Sequence, residues 1–220
     1  MQDFLRDAQQ FMPILLQGLR FTIIVTIGSL VLSTLLGLVW ALMRVSGIGP
    51  LVLIAKTVVN TLRGIPILVQ LFYIYFVLPE FGISMSALQA GIIGLGVAYS
   101  AYHSENFRAG IEAIDHGQIE AAQSIGMGWG LMMRRVVLPQ AIKIILPPYG
   151  NIMIMMLKDS SQASTITVAE LTLQGQLLAS STFKNMTVYS LVALLYLCMS
   201  LPLIALVGWL ERRFGKGSRR

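Results

Sequence analysis

Long uncharged runs, rather than alternation, set the pattern of this chain. Residues 22–43, TIIVTIGSLVLSTLLGLVWALM, contain no Asp, Glu, Lys or Arg. As a helix rising about 1.5 Å per residue, such a run reaches about 33 Å, enough to cross roughly 30 Å of hydrocarbon. Further apolar runs follow, so the pattern predicts an all-α integral membrane protein with five spans, at 20–43, 57–79, 83–104, 144–169 and 185–210. The second carries Arg63 near its start and Glu80 just past its end, and the fourth is interrupted by Lys158 and Asp159. Gly and Pro are frequent inside these runs, as membrane helices tolerate.

The connections are short except for residues 105–143. Within that stretch Phe107, Ile111, Ile114, Ile119 and Ala122 recur at near-helical spacing. Gly126, Gly128 and Gly130 then stop the helix, and Leu131 to Val137 can restart it before Pro139. The expected product is helix, glycine turn, helix, with Met127, Trp129, Met132 and Met133 exposed. It reads either as an amphipathic loop on the membrane surface or as a knob that docks into a partner. No linker, soluble domain or internal repeat is visible, so 1–220 reads as one membrane domain.

Composition agrees with the pattern: 55% of residues are hydrophobic and 12% charged, where soluble domains average about 25% charged. The formal net charge of +6 forms no stripe interleaved with aromatics, which argues against nucleic acid. Instead the cations fix an orientation. With the N-terminus outside, Arg44, Lys56, Arg63, Arg108, Arg134, Arg135, Lys143, Arg212, Arg213, Lys216, Arg219 and Arg220 are cytoplasmic. Only Arg6, Arg20 and Lys184 lie outside, and Lys158 stays within a span; twelve against three predicts N-out, C-in. Asp3 and Asp7 replace the basic start of a signal peptide, so the N-terminus is expected to stay attached. Cys198, the one cysteine, lies in an apolar run and reads as packing.

Candidate chemistry is sparse. The glycines of GMGWG have no G-x-x-x-x-G-K-[ST] around them, and His103 and His116 have no spaced Cys or acidic partners for a metal. Ionisable residues inside spans are functional candidates by default. Lys158 and Asp159 lead into SSQASTITVAE, a polar stretch suited either to a hydrogen-bonding conduit or to a helix interface. Arg63, Glu105, Lys158, Asp159, Ser161, Gln162 and Glu170 are the candidate substrate-pathway residues; Glu105 and Glu170 read equally as markers of span ends, and Arg63 with Pro66 as a gate or a kink.

Glu120, Ala121 and Ala122, followed by Gly126 and closed by Val136, Leu138 and Pro139, form E-A-A-x-x-x-G…V-x-L-P. This resembles the EAA signature of permease subunits of ATP-binding-cassette (ABC) importers, with Val136 where the signature has Ile. RGIPILVQL (63–71), ENFRAGI (105–111), GQIEAAQSIGM (117–127), LPQA (138–141), LKDSS (157–161) and the pair Glu170–Leu171 resemble the polar amino-acid branch of that family. Gln162 departs from it, standing where the branch usually has an apolar residue.

The resemblance implies a type I importer permease fold, with 105–143 as the coupling loop and Glu120, Ala121, Ala122, Gly126, Met127 and Trp129 contacting a cytoplasmic ATPase. It implies a second permease chain, identical or paralogous, two ATPase subunits and an extracytoplasmic amino-acid-binding protein. ATP and Mg would bind the ATPase; this chain would bind no cofactor or metal and catalyse nothing. The expected location is the bacterial inner membrane, in contact with lipid. The alternatives from other classes are an ion-coupled secondary transporter, which would need inverted repeats, and a scaffold without transport.

Overall fold

A computed structural model describes residues 2–214, with side chains from 4 to 214. Lys216, Arg219 and Arg220 lie outside the described residues. The described chain is helical, with no strand. It opens with α1 (Gln2–Val45), an unbroken helix that tolerates Pro13. At about 66 Å, α1 is twice the thickness of the hydrocarbon layer, so its N-terminal part continues well past the predicted span at 20–43. Its outward side chains, among them Val31 and Leu35, are exposed apolar groups, as suits a lipid-facing surface.

The second predicted span is not straight. α2 (Gly49–Gly64) and the helical segment 67–81, which begins with α3 (Ile67–Phe72), meet at a bend of 102°. Pro66 causes the break: it has no N–H to continue the ladder, and Ile65 before it is extended at φ −103°, ψ 130°. Arg44 and Arg63 both reach one carboxylate, Glu105. The last turns of α1 and α2 therefore lie side by side, and α2 runs across the end of the bundle.

The third predicted span lies within α4 (Ala87–Glu112), started by a Ser86–Gln89 capping box. It is packed inside the protein through small residues: Gly91, Gly94, Gly96, Ala98 and Ala101 are all buried. Small residues let helices approach closely. A Cβ on Gly37 of α1 would sit 2.6 Å from His103 Cβ and 2.9 Å from the Ser100 carbonyl oxygen. Ser29 Oγ donates to the Ile92 carbonyl at 3.1 Å, and Arg44 pairs with Glu105, so α1 and α4 run in the same direction. Small residues also lower mean apolarity. By length and composition the described helices give three membrane crossings, or four if the bent pair counts as one, and α4 is not among them.

α4 continues to Glu112, so the first part of the predicted coupling loop, residues 105–112, extends α4. Two short helices, α5 (His116–Ser124) and α6 (Trp129–Met132), follow. A π-helical turn at Met133–Val137 then leads directly into α7 (Leu138–Asp159). Both π turns among the described residues, this one and Tyr73–Val77, end immediately before a Leu-Pro pair, Leu138-Pro139 and Leu78-Pro79. The wider turn lets the chain stay helical where proline withholds a donor.

The predicted fourth span, 144–169, breaks near its end. α7 tightens into a 3₁₀ stretch, Ser160–Ile166, which stops at Thr167 in the left-handed region (φ 64°). A helix absent from the sequence-based reading comes next, α8 (Leu171–Thr182), before α9 (Asn185–Phe214) closes the bundle. α8 packs on the N-terminal part of α1 and the start of α9 through Phe11, Leu15, Leu171, Leu178, Val188 and Leu191.

Candidate functional site

The coupling-loop residues form a compact knob at the end of the bundle. Asp115 starts α5, its carboxylate accepting from the Gly117 N–H at 2.7 Å. Gly126 ends it at φ 79°, with Met127 N–H donating to the Ala122 carbonyl (3.1 Å) and Gly126 N–H to the Gln123 carbonyl (2.9 Å). This is a Schellman stop, the arrangement that requires a residue tolerant of positive φ. Beneath it lies a small core of Ile114, Ala122, Met132, Met133, Val137 and Ala141.

That core divides the predicted contact residues. Ala122 is buried and Met127 half-buried, so both support the turn from inside; Glu120, Ala121, Gly126 and Trp129 face outward. Met132 and Met133, expected to be exposed, are buried because α6 folds back onto α5. Ile125, not singled out in the sequence, is 74% exposed, and Trp129 (59%) and Leu131 (43%) are exposed too. The outward face thus carries exposed apolar side chains over a packed core.

The candidate pathway residues do not form one cluster. Arg63 and Glu105 come together: Glu105 accepts from Arg44 (2.7 Å), Arg63 (3.0 Å) and Arg108 (2.9 Å), tying the ends of α1 and α2 to α4. Burial pushes the Glu105 carboxyl up, but hydrogen bonds from Arg44 and Arg108 outweigh it and hold it below its ordinary value. Arg108 also pairs with Glu112 one turn on. Asp159 lies deeper, accepting from the Tyr99 hydroxyl at 2.7 Å, while its neighbour Lys158 points the other way, exposed in a groove with Asn151 and Glu211 between α7 and α9. Adjacent helix positions diverge in this manner.

Ser161 and Gln162 are half-buried in the 3₁₀ stretch, where their carbonyls accept from Ser164 Oγ (2.7 Å) and Thr165 Oγ1 (2.6 Å). Glu170 is fully buried and starts α8, accepting from the Leu173 N–H (2.8 Å), Tyr196 (2.8 Å) and Thr22 (3.4 Å). From Thr22 to Arg44 along α1 is about 33 Å, so Glu170 and Glu105 stand near opposite ends of the bundle. A buried helix cap with all its partners protein-borne has a structural role. Sequence reasoning also missed Tyr99, and Tyr75, whose hydroxyl lies 3.2 Å from Thr167 Oγ1. Tyrosines in apolar runs read as packing until the partner across the fold is visible.

Comparison with known proteins agrees with this architecture. The family described as "binding-protein-dependent transport system inner membrane component" matches residues 33–216. A probable glutamine ABC transporter permease protein of Bacillus subtilis, GlnM, is 37% identical over 91% of this chain and 93% of its own. The L-cystine transport system permease protein TcyB of the same organism is 36% identical over 94% and 89%. A crystal structure of an amino acid ABC transporter with histidines superposes with a TM-score of 0.88 at 41% identity, covering 94% of this chain and 97% of that one. This chain belongs to the family of inner membrane components of binding-protein-dependent transport systems.

Proposed function

We propose that the chain is the membrane-spanning permease subunit of an ABC importer that carries a polar amino acid across the bacterial inner membrane. Relatives named for glutamine, cystine and arginine support that substrate class. The chain crosses the membrane five times, through α1, the bent α2–α3 pair, α4, α7 and α9, with the N-terminus outside and the C-terminus inside. The charge asymmetry and the parallel course of α1 and α4 support this topology. Residues 1–220 make one permease domain. Two such chains, identical or paralogous, enclose the pathway, two ATPase subunits bind ATP and Mg, and an extracytoplasmic binding protein delivers the substrate. The permease hydrolyses nothing.

The observation that carries this reading is the knob. Glu120, Ala121, Ile125 and Trp129 project from a base held by Ala122, Gly126 and Met127. An apolar tip with a rigid support is what a docking contact needs. ATP-driven closure of the ATPases moves the knob and shifts the crossings between two orientations, because the ATPase pair binds the two states unequally. Arg63, Glu105, Lys158, Asp159, Ser161 and Gln162 line or border the pathway on this reading; Glu170 braces its outer end. The ion-coupled alternative gains no support from the comparisons.

The test is a pull-down of the tagged chain in mild detergent, wild type beside Gly126→Arg. An ATPase subunit is expected with the wild type and lost with the variant. A folded wild-type chain that retains no ATPase would overturn the importer reading.

A further inference from the structure

The bend between α2 and α3 leaves backbone carbonyls without partners in a segment read as crossing the membrane. In a continuous helix the Leu62 carbonyl would accept from the N–H of residue 66, which proline lacks. The Ile65 carbonyl loses its partner because the helix axis turns. Such groups are costly away from water unless something inside the protein meets them. One side chain meets both: Gln70 Nε2 donates to Leu62 O at 2.8 Å and to Ile65 O at 2.9 Å. Gln70 is only 8% exposed, and its own N–H bonds back to the Pro66 carbonyl at 3.1 Å. The backbone of Gln70 therefore belongs to the first turn of α3, while its amide closes the last turn of α2. Only an amide fits the requirement of two neutral donors on one nitrogen.

The bend sits between two places that the transport cycle has to join. On one side Arg63 is bound to Glu105 on α4, seven residues before the helix ends and the knob begins. On the other side the segment after the bend packs Leu71 against Gly94 and sets Tyr75 against Thr167. Thr167 is the left-handed stop of the second broken crossing, so the segment that follows the first break reaches the second one through Tyr75. Breaks in membrane helices are tolerated where they are buried in protein or line a cavity. A bend held by side-chain bonds can open and reclose without unravelling either helix.

We propose that Gln70 is a positioning residue for transport, whose amide sets the angle of the α2–α3 bend and so the placement of residues 67–81 relative to the knob. The proposal rests on the importer reading above. Its test uses the assembled complex in proteoliposomes and follows uptake of the transported amino acid, ATP hydrolysis and the melting temperature of the complex. Gln70→Leu is expected to lower the maximal uptake rate by about tenfold or more, given the loss of both amide bonds that hold the bend. The half-saturating concentration and the ATP hydrolysis rate should stay within about twofold of wild type.

The double variant Pro66→Ala/Gln70→Leu separates positioning from bond-filling. Replacing the proline returns a backbone donor to the Leu62 carbonyl while removing the cause of the bend. Recovery of the melting temperature without recovery of uptake supports the proposal. Recovery of both, or wild-type uptake by Gln70→Leu, overturns it. If Gln70→Leu fails to assemble, the double variant decides the matter alone, and failure of that variant to assemble also overturns the proposal. Wild-type uptake is the control that keeps the two readings apart: without it the importer reading falls and takes this proposal with it, and with it only the variants speak to Gln70.

Discussion

Gly126 and Gly128 offer a controlled experiment within three residues. A Cβ added at either would meet nothing within 4 Å, so neither substitution causes a collision inside the chain. The backbone differs: Gly126 has φ 79°, whereas Gly128 has φ −66° and ψ 157°, a conformation open to any residue. A side chain in the left-handed region costs about 1–2 kcal/mol. Gly126→Ala should therefore relax out of the Schellman turn when free and be forced back on docking. At about 1.4 kcal/mol per tenfold, the affinity of the reconstituted permease for its ATPase should fall about 5- to 30-fold. Gly126→Asn should lose less, since Asn also serves as a left-handed helix stop. Gly128→Ala should bind as wild type does. The assay is a titration of labelled ATPase onto permease in nanodiscs, with the melting temperature of the bundle as a check on folding. Equal losses at 126 and 128 would refute the argument from backbone conformation. No loss at either would remove the turn from the docking contact.

Gly37→Ala forces a Cβ to within 2.6 Å of His103 Cβ and 2.9 Å of α4 backbone, an overpacking expected to cost about 1–3 kcal/mol. The melting temperature in detergent should drop, while Gly49→Ala, with nothing within 4 Å, should leave it unchanged; matching temperatures would contradict the close α1–α4 approach. Glu105→Gln removes the carboxylate shared by Arg44, Arg63 and Arg108. Arg44 is well covered and Arg63 half-exposed, so the loss should be about 2 kcal/mol, nearly all from Arg44 and Arg108. Because the folded Glu105 titrates below its ordinary value, its contribution is present above the unfolded pKa, about 4.3. It fades as pH falls through the lower folded value. Wild type and Glu105→Gln should therefore converge in stability under acid; a constant gap down to that range would show that the carboxylate is not the source.

The elements legible in the sequence were those whose signal is local. Residues 22–43 and 185–210 are apolar enough to announce themselves, and α1 and α9 cover them. The turn at Gly126 was legible because only a few residue types accept its φ. α8 was not, since LTLQGQLLASST has neither a strong apolar period nor membrane length. Its start depends on Glu170 meeting Thr22 and Tyr196, partners far away in the chain. The kink at Pro66 has a local signal, whereas the role of Gln70 rests on two carbonyls that only the fold brings to it. Met132 and Met133 were assigned to the wrong side because the fold-back of α6 onto Ala122 is a tertiary event.

The position of the knob gives the coupling proposal its mechanical content. Ile114, in the core of the knob, lies just past the end of α4, and Ile111 on the last turn of α4 packs against the same core. Ile114 lies nine positions past Glu105, and α4 is continuous helix as far as Glu112. Gly110 on that stretch is packed so closely against Ile145 of α7 that an added methyl group would have to displace that side chain. Close-packed interiors transmit displacement instead of absorbing it. On the coupling proposal, a push on Ile125 and Trp129 is passed to the ends of α4 and α7 through this packing, and through Glu105 to Arg44 and Arg63. On this reading the arginine cluster is where motion of the knob reaches α1 and the bend at Pro66. A glycine-to-alanine change at 110 should then strain the α4–α7 contact and disturb the coupling of hydrolysis to uptake even though it touches neither the ATPase nor the substrate. Retention of full coupling by a folded Gly110→Ala complex would show that the two helices move independently.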